Sequence, residues 1–217
     1  MANRLLGATG EAAEVGAAQR ALRMEPRSIE YGLLGHYRLS LRIASTAAQA
    51  ATSRIFEIRN PSTTVLIVPT MLRLRAAQMA SGTSQENSLD CYRVSGFTVL
   101  DSTNTVTPTI GGARSGMPIH TAAVRHLTLT GAAAGMTGGT LVKNSVAFAT
   151  LPYLLTTLQA NWIHGPLNAL VVDGDSATHP FVLGEDAGII VENRVLNVTS
   201  YGMIWYLDFA WAETLRY

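Results

Sequence analysis

The segment MIWYLDFAWAE, Met203–Glu213, carries the strongest strand pattern in this sequence of 217 residues. Large apolar side chains occupy every second position, and Asp208 with several smaller residues fills the positions between them. Successive side chains of a β-strand point to opposite sides, so this alternation predicts a strand with one buried face. Burial at about 25 cal/mol per Å² would make this strand a leading contributor to stability. The large side chains are Met203, Trp205, Leu207, Phe209 and Trp211.

A shorter strand is predicted just upstream, at Gly188–Arg194. Residues Asn197–Gly202 lie between the two strands and contain Asn, Ser and Gly, which favour turns. Strands joined by a short turn usually pair with each other. We therefore predict that these two strands form an antiparallel hairpin at the carboxy end.

The amino-terminal half of the chain has further strand patterns. Apolar residues alternate with Arg and Ser over Tyr37–Ile43, and a second short run covers Arg54–Arg59. Val65–Arg75 is longer and contains Pro69, where we expect an edge position or a bulge because proline cannot donate to the ladder. Leu89–Val99 is another strand, interrupted near a glycine. Roughly eight or nine strands at this spacing predict a mostly β protein, an antiparallel β-sandwich of jelly-roll-like topology.

Two segments depart from the strand pattern. Residues 1–30 are rich in Ala, Gly, Glu and Arg, and we expect an N-terminal arm there, with a short helix over Ala12–Met24, beside a β-sandwich domain of residues 31–217. Residues 101–142 form a Gly/Thr-rich insertion in which only Val124–Thr130 has a clear strand pattern. An insertion of this size usually binds something or is ordered by a neighbour.

The segment Leu151–Trp162 is ambiguous between a helix and a strand. Leu154, Leu155 and Leu158 have helical spacing, whereas Pro152 and a pair of threonines weaken a helix.

The composition indicates a surface that other protein covers. Charged residues make up 14% of the chain and apolar residues 47%, against roughly 25% charged in an average globular protein. A monomer normally needs more charge to stay dispersed, although a stable, weakly charged monomer is the alternative. We expect a soluble chain without a membrane partner, because no stretch approaches the ~20 apolar residues of a bilayer span.

The charges are balanced, and the basic residues are almost all arginine. Net charge is +1, and Lys143 is the only lysine. Arginine suits bidentate, partly desolvated pairing, so the bias favours protein interfaces, although the codon bias of a GC-rich genome would leave the same signature. The balance gives no basic stripe of the kind that nucleic-acid binding requires, so we predict no nucleic-acid partner.

The sequence contains no signature of a catalytic, cofactor-binding or metal-binding site, and we predict a protein that is not an enzyme. Cys91 lies in a strand-like run and is predicted to be a buried small hydrophobe. Asp173 and Asp175 resemble the start of a calcium loop whose later ligands do not follow, so a turn and an ion site both stay open. Glu185 and Asp186 are predicted to lie in a turn. Five histidines lack the spacing of a zinc site: His36, His120, His126, His164 and His179.

Two stretches resemble β-rich structural proteins of tailed bacteriophages. One is IASTAAQAATSRIFEIRNPSTTVLIVPTMLRLR, Ile43–Arg75, and the other is HPFVLGEDAGIIVENR…WYLDFAWAE, His179–Glu213. The resemblance covers residues 31–217 and rests on the style of the strands, since none of its motifs is a ligand or catalytic signature. It leaves the N-terminal arm outside.

The resemblance implies a virion component assembled in the host cytoplasm. Its best interpretation is a capsid decoration (cement) protein, a homotrimer that binds the major capsid protein and stabilises the phage head. Residues Ala2–Glu30 and Ile110–Lys143 are the expected contact elements, and multivalent contacts would raise the effective affinity. A tail, fibre or baseplate component for host recognition is one alternative. A jelly-roll enzyme that is carbohydrate-active or metal-dependent is the other.

Overall fold

A computed structural model of the chain describes residues 4–6, 12–14, 34–45, 49–79, 84–112, 118–128, 135–157, 162–171, 181–195 and 202–215. The chain divides into two units, Met1–Glu30 and Tyr31–Tyr217. In the first unit, strands β1 (Arg4–Leu6) and β2 (Ala12–Glu14) pair antiparallel. The predicted helix over Ala12–Met24 is therefore wrong at its first three residues, which pair with β1 instead. The rest of that helix lies outside the described residues, as does most of the predicted arm.

The second unit is built from strands, eight of which have six or more residues. These eight are β3 (Gly35–Ser45), β4 (Ser53–Arg59), β5 (Val65–Gln78), β6 (Gln85–Val99), β11 (Ala149–Leu155), β12 (Trp162–Val171), β13 (Gly188–Asn193) and β14 (Met203–Leu215). Shorter strands occur in the segment between β6 and β11. They are β7 (Thr105–Val106), β8 (Gly111–Gly112), β9 (Ala123–Leu127) and β10 (Thr140–Lys143).

The strands form two antiparallel sheets that pack face to face, which confirms the predicted β-sandwich. One sheet has five strands in the order β12-β5-β14-β3-β8. The other has seven, in the order β10-β6-β13-β4-β9-β7, with β11 also paired to β6. Inward-facing residues of both sheets join in one apolar cluster, so the core lies between the sheets.

The eight long strands pair in a nested order. The first, β3, pairs with the last, β14, and β4 pairs with β13. Further in, β5 pairs with β12 and β6 pairs with β11. The unit therefore has the connectivity of one long antiparallel hairpin folded over into two sheets. The insertion, residues 101–142, lies at the tip of that hairpin, between β6 and β11.

The predicted C-terminal hairpin is wrong, because its two strands lie in different sheets. Strand β13 lies between β4 and β6, and β14 lies between β5 and β3. All six residues of β13 are buried. An apolar pattern with a period of two shows which face of a strand is buried, but it does not show which strand is the hydrogen-bonded partner. Two strands that are adjacent in sequence and have this pattern can therefore lie in opposite sheets and pack across the core.

The alternation predicted for the last strand is confirmed, and its buried face forms the centre of the core. Trp205, Phe209 and Trp211 are fully buried. The ring of Phe209 lies 5.7 Å from that of Phe56 on β4, between ring centroids, and 5.5 Å from that of Trp211. The contact between Phe209 and Phe56 joins the two sheets, whereas that between Phe209 and Trp211 lies within β14. Aromatic pairs of this kind stabilise packing beyond the area that they bury.

Local irregularities follow the residues that cause them. The register between β14 and β5 shifts where Trp211 pairs with Pro69, which confirms the predicted bulge, although β5 is an interior strand and not an edge. Residues Ala149–Leu155 form a strand with alternating exposure, so the helical alternative for this part of Leu151–Trp162 is wrong. Pro152 is exposed there, and it is paired with Ser88 of β6. Because β11 is an outer strand of the sheet, it tolerates a residue that has no backbone N–H to donate.

Candidate functional site

A buried charged cluster holds the insertion against β4. Arg54 Nη1 lies 2.9 Å from Glu57 Oε2, and Arg54 Nη2 lies 3.5 Å from Asp101 Oδ2. The backbone N–H of Asp101 donates to Glu57 Oε1 at 2.7 Å, and the N–H of Gly138 donates to Asp101 Oδ2 at 2.7 Å. Arg54 also donates to the backbone carbonyls of Met136 and Gly138. Two points of the insertion, near its start and near its end, are therefore fixed to one strand.

The chemistry of this cluster is structural. A buried carboxyl with a shifted pKa is often a candidate acid or base. Burial raises the pKa of Glu57 to about 7, even though the charge of Arg54 lowers it. Both carboxyl oxygens nevertheless face partners within the protein, and the side chain is fully buried. The group therefore positions the insertion and presents no oxygen to a substrate.

Ionisation of Glu57 should make the stability of the fold depend on pH. Its pKa rises from 4.5 to about 7 on folding, so between these values the folded state holds more protons than the unfolded state. The contribution of Glu57 is complete below the lower value and is lost as the pH rises through about 7, by about 3 kcal/mol at most. Urea denaturation of the wild type and of Glu57→Gln, at about pH 5 and about pH 8, measures this. We expect a smaller difference between the two pH values in the variant, and equal differences would contradict the assignment.

A second buried carboxylate, Glu213 on β14, holds another part of the insertion. It accepts hydrogen bonds from the backbone N–H of Thr121 at 2.8 Å and from that of Ala122 at 3.0 Å. Trp211 Nε1 donates to it at 3.1 Å. The ring of His120 lies edge-on to the indole of Trp211, 6.1 Å away between ring centroids. Since Glu213 is 1% exposed, its charge is satisfied inside the protein.

The residues weighed for chemistry in the sequence lie apart. Cys91 is buried, as predicted, and burial raises the pKa of its thiol. Three histidines bond to nearby groups: His36 to Thr70, His120 to a backbone carbonyl and His126 to another. The side chains of His164 and His179 lie outside the described residues. Among the residues with described side chains, no three or more of His, Cys, Asp and Glu are grouped to hold a metal.

The two acidic pairs have different outcomes. Glu185 and Asp186 lie in a turn, as predicted, and Asp186 has a positive φ of 52°. Its carboxylate pairs with Arg59 at 3.0 Å, so the turn is tied to β4. Asp173 and Asp175 lie outside the described residues, and an ion at that position stays a prediction.

The outer face of the five-stranded sheet carries a group of exposed arginines, which we call the arginine face: Arg38, Arg42, Arg73 and Arg75 around Tyr206 and Asp208. Tyr206 on β14 is paired in register with Arg42 on one side and Arg75 on the other. Two residues along β14, Asp208 is paired with Ser40 and Arg73. Residues paired in this way point to the same side of a sheet. All four arginines are exposed, and Tyr206 is 38% exposed.

The arginine face concentrates positive charge in a chain whose total charge is nearly neutral. The chain has sixteen basic and fifteen acidic residues, and the arginine face holds four of the basic residues but only one of the acidic residues. Its one carboxylate, Asp208, accepts a hydrogen bond from Ser40 Oγ at 2.5 Å. Each of these arginines was visible in the sequence as an outward position of a strand. Their grouping was missed because it arises only when β14 inserts between β3 and β5.

No protein-family model matches the chain, and no curated protein matches it in sequence. Among the residues that the structure describes, none belongs to a helix long and apolar enough to span a bilayer.

Proposed function

We propose that this chain is a non-catalytic structural protein of a bacteriophage virion, of the capsid decoration (cement) type. It would form a homotrimer and bind the major capsid protein on the outside of the head. The observation that carries the proposal is the arginine face, an exposed surface of Arg and Tyr on the outer side of the sheet whose inner side holds the aromatic core. Such a surface is built for contact with another macromolecule, because Arg and Tyr are the residues that interfaces enrich.

The insertion supports the same proposal as a second contact element. Ile119 is 91% exposed and Val142 is 65% exposed, yet both lie close in sequence to points that buried carboxylates fix. Exposed single apolar residues are common. Held on a fixed backbone, however, they lose little conformational freedom when a neighbour covers them. We therefore propose that residues Ile110–Lys143 contact neighbouring subunits, together with Ala2–Glu30.

We infer in addition that the sandwich is a jelly roll. Support comes from the nested pairing of its eight long strands, since a jelly roll consists of eight strands in two sheets with two Greek keys. The fold alone does not define a function, because one architecture carries many. The proposal therefore depends on the surface and not on the fold.

Oligomeric state and shell binding test the proposed function together. We expect the purified chain to elute as a trimer in size-exclusion chromatography with light scattering, and to co-sediment with empty phage heads that lack a decoration protein. Electron microscopy of decorated particles should then show added density on the shell. A stable monomer that leaves such heads bare, or density at the tail instead, would overturn the decoration role.

A further inference from the structure

We propose that the arginine face is the surface that binds the partner protein, and that the partner presents carboxylates on an extended segment. This inference rests on the proposed function and deepens it by naming the chemistry of the partner. It commits to an acidic protein surface because the arginine face holds four guanidinium groups and one carboxylate.

The spacing of the arginines fits side chains on an extended segment. Arg73 and Arg75 are two residues apart on one strand, which places their Cα atoms about 7 Å apart on the same side. Carboxylates at alternate positions of an extended partner segment have the same separation. Arg42 and Arg75 lie on either side of Tyr206, about 10 Å apart across β14. Each guanidinium can bind a carboxylate with two parallel hydrogen bonds, which fixes direction as well as charge.

The backbone beneath the arginine face is held in place before a partner arrives. β14 is paired along its length on both sides, and its inward residues are among the most buried of the described side chains. Binding therefore orders only the exposed side chains and not the strands, which limits the entropic cost of association. Tyr206 adds a rigid, amphipathic ring at the centre of the group, as is typical of interface residues that dominate binding.

A protein partner fits this surface better than a nucleic acid. Protein interfaces enrich Arg and Tyr and deplete Lys, and this chain has one lysine, Lys143, which pairs with Glu192 away from the arginine face. Surfaces that bind single-stranded nucleic acid place several aromatic side chains in a row for successive bases to stack. The described residues of the arginine face include a single aromatic side chain, Tyr206.

Binding of a carboxylate polymer tests the chemistry directly. Fluorescence anisotropy with labelled poly-L-glutamate would be measured for the wild type and for the double variant Arg42→Ser/Arg75→Ser. A matched control, Arg93→Ser/Arg194→Ser, removes the same charge from two exposed arginines outside the arginine face. We expect the first variant to bind at least about tenfold more weakly, the control to change less than about twofold, and wild-type binding to weaken with added salt. Equal losses in both variants, or no binding by the wild type, would overturn the proposal.

A labelled thymidine oligonucleotide of similar charge separates the two classes of partner. Tighter binding of the oligonucleotide than of poly-L-glutamate, lost in Arg42→Ser/Arg75→Ser, would replace the protein partner with a nucleic acid. Co-sedimentation with phage heads keeps this test distinct from that of the proposed function. If the variant still binds heads as the wild type does, the arginine face is the wrong surface while the decoration role stands. If the wild type itself fails to bind heads, the decoration role fails. The anisotropy measurement with poly-L-glutamate then still shows whether the arginine face binds carboxylates.

Discussion

Replacing Phe209 with alanine should lower the free energy of unfolding by about 4 kcal/mol, within the range measured for buried phenylalanines. The side chain is fully buried and lies on the inner face of β14. Its ring contacts Phe56 of the opposite sheet and Trp211 of its own strand, so the cavity left behind would separate groups from both sheets. Few neighbours could collapse into that space, because they are held by strands paired on both sides. The loss would be a large part of the roughly 5–15 kcal/mol that a folded protein has.

Urea denaturation followed by tryptophan fluorescence measures this loss, with Tyr206→Ala as the matched control. Tyr206 is an aromatic residue of the same strand, but it points outward and is 38% exposed. Its replacement should cost about 1 kcal/mol or less. Equal losses in the two variants would mean that the two faces of β14 are buried alike, which would contradict the sandwich.

The strands could be predicted from the sequence because burial of one face leaves a local trace. In β3 and β14, successive side chains point alternately to the core and to solvent. The resulting alternation of apolar and polar residues can be recognised within about ten residues of sequence. The choice of partner leaves no such trace. β13 and β14 were predicted to pair because they are neighbours in sequence, whereas β13 is bonded to β4 and β14 to β3, each more than a hundred residues away.

The strand at Ala149–Leu155 shows why a short apolar run can mislead. Leu151 and Leu155 are four residues apart, a spacing that fits one face of a helix as well as one face of a strand. Tyr153 between them is also buried, which only a strand explains. A proline at position 152 can be accommodated because the strand pairs with β6 at the outer side of the sheet.

The candidate site was harder to predict, because its parts lie far apart in the sequence. Glu57 and Glu213 looked like ordinary members of a strand, and the residues that they bind are 44 and 92 positions away. The predominance of arginine over lysine was interpreted as favouring protein interfaces, but the sequence did not show which arginines lie together. What groups them is the long-range pairing of β14 with both β3 and β5, so the net charge of +1 gave no sign of a basic surface.

Replacing Glu213 with alanine should have an effect comparable to that of Phe209→Ala, about 4 kcal/mol, for a different reason. The carboxylate accepts hydrogen bonds from three N–H groups, those of Thr121, Ala122 and the indole of Trp211. Each buried donor left without an acceptor costs about 1–3 kcal/mol. Glu213→Gln keeps one acceptor oxygen and should lose roughly half as much.

The loss of stability in Glu213→Ala should also be local. A local loss would show that Glu213 holds the insertion, whereas a loss spread over all strands would show a general weakening of the fold. In hydrogen exchange, the amides of Thr121 and Ala122 should lose protection in Glu213→Ala well beyond those of β3, because their acceptor is gone while the strand ladder remains. Glu86→Ala, at an exposed glutamate of β6, is the control and should change stability by less than about 0.5 kcal/mol. If the two amides stay as protected as in the wild type, Glu213 does not hold the insertion. The desolvation of its carboxylate would then be offset by other contacts, and other residues would have to hold the insertion near Thr121 and Ala122.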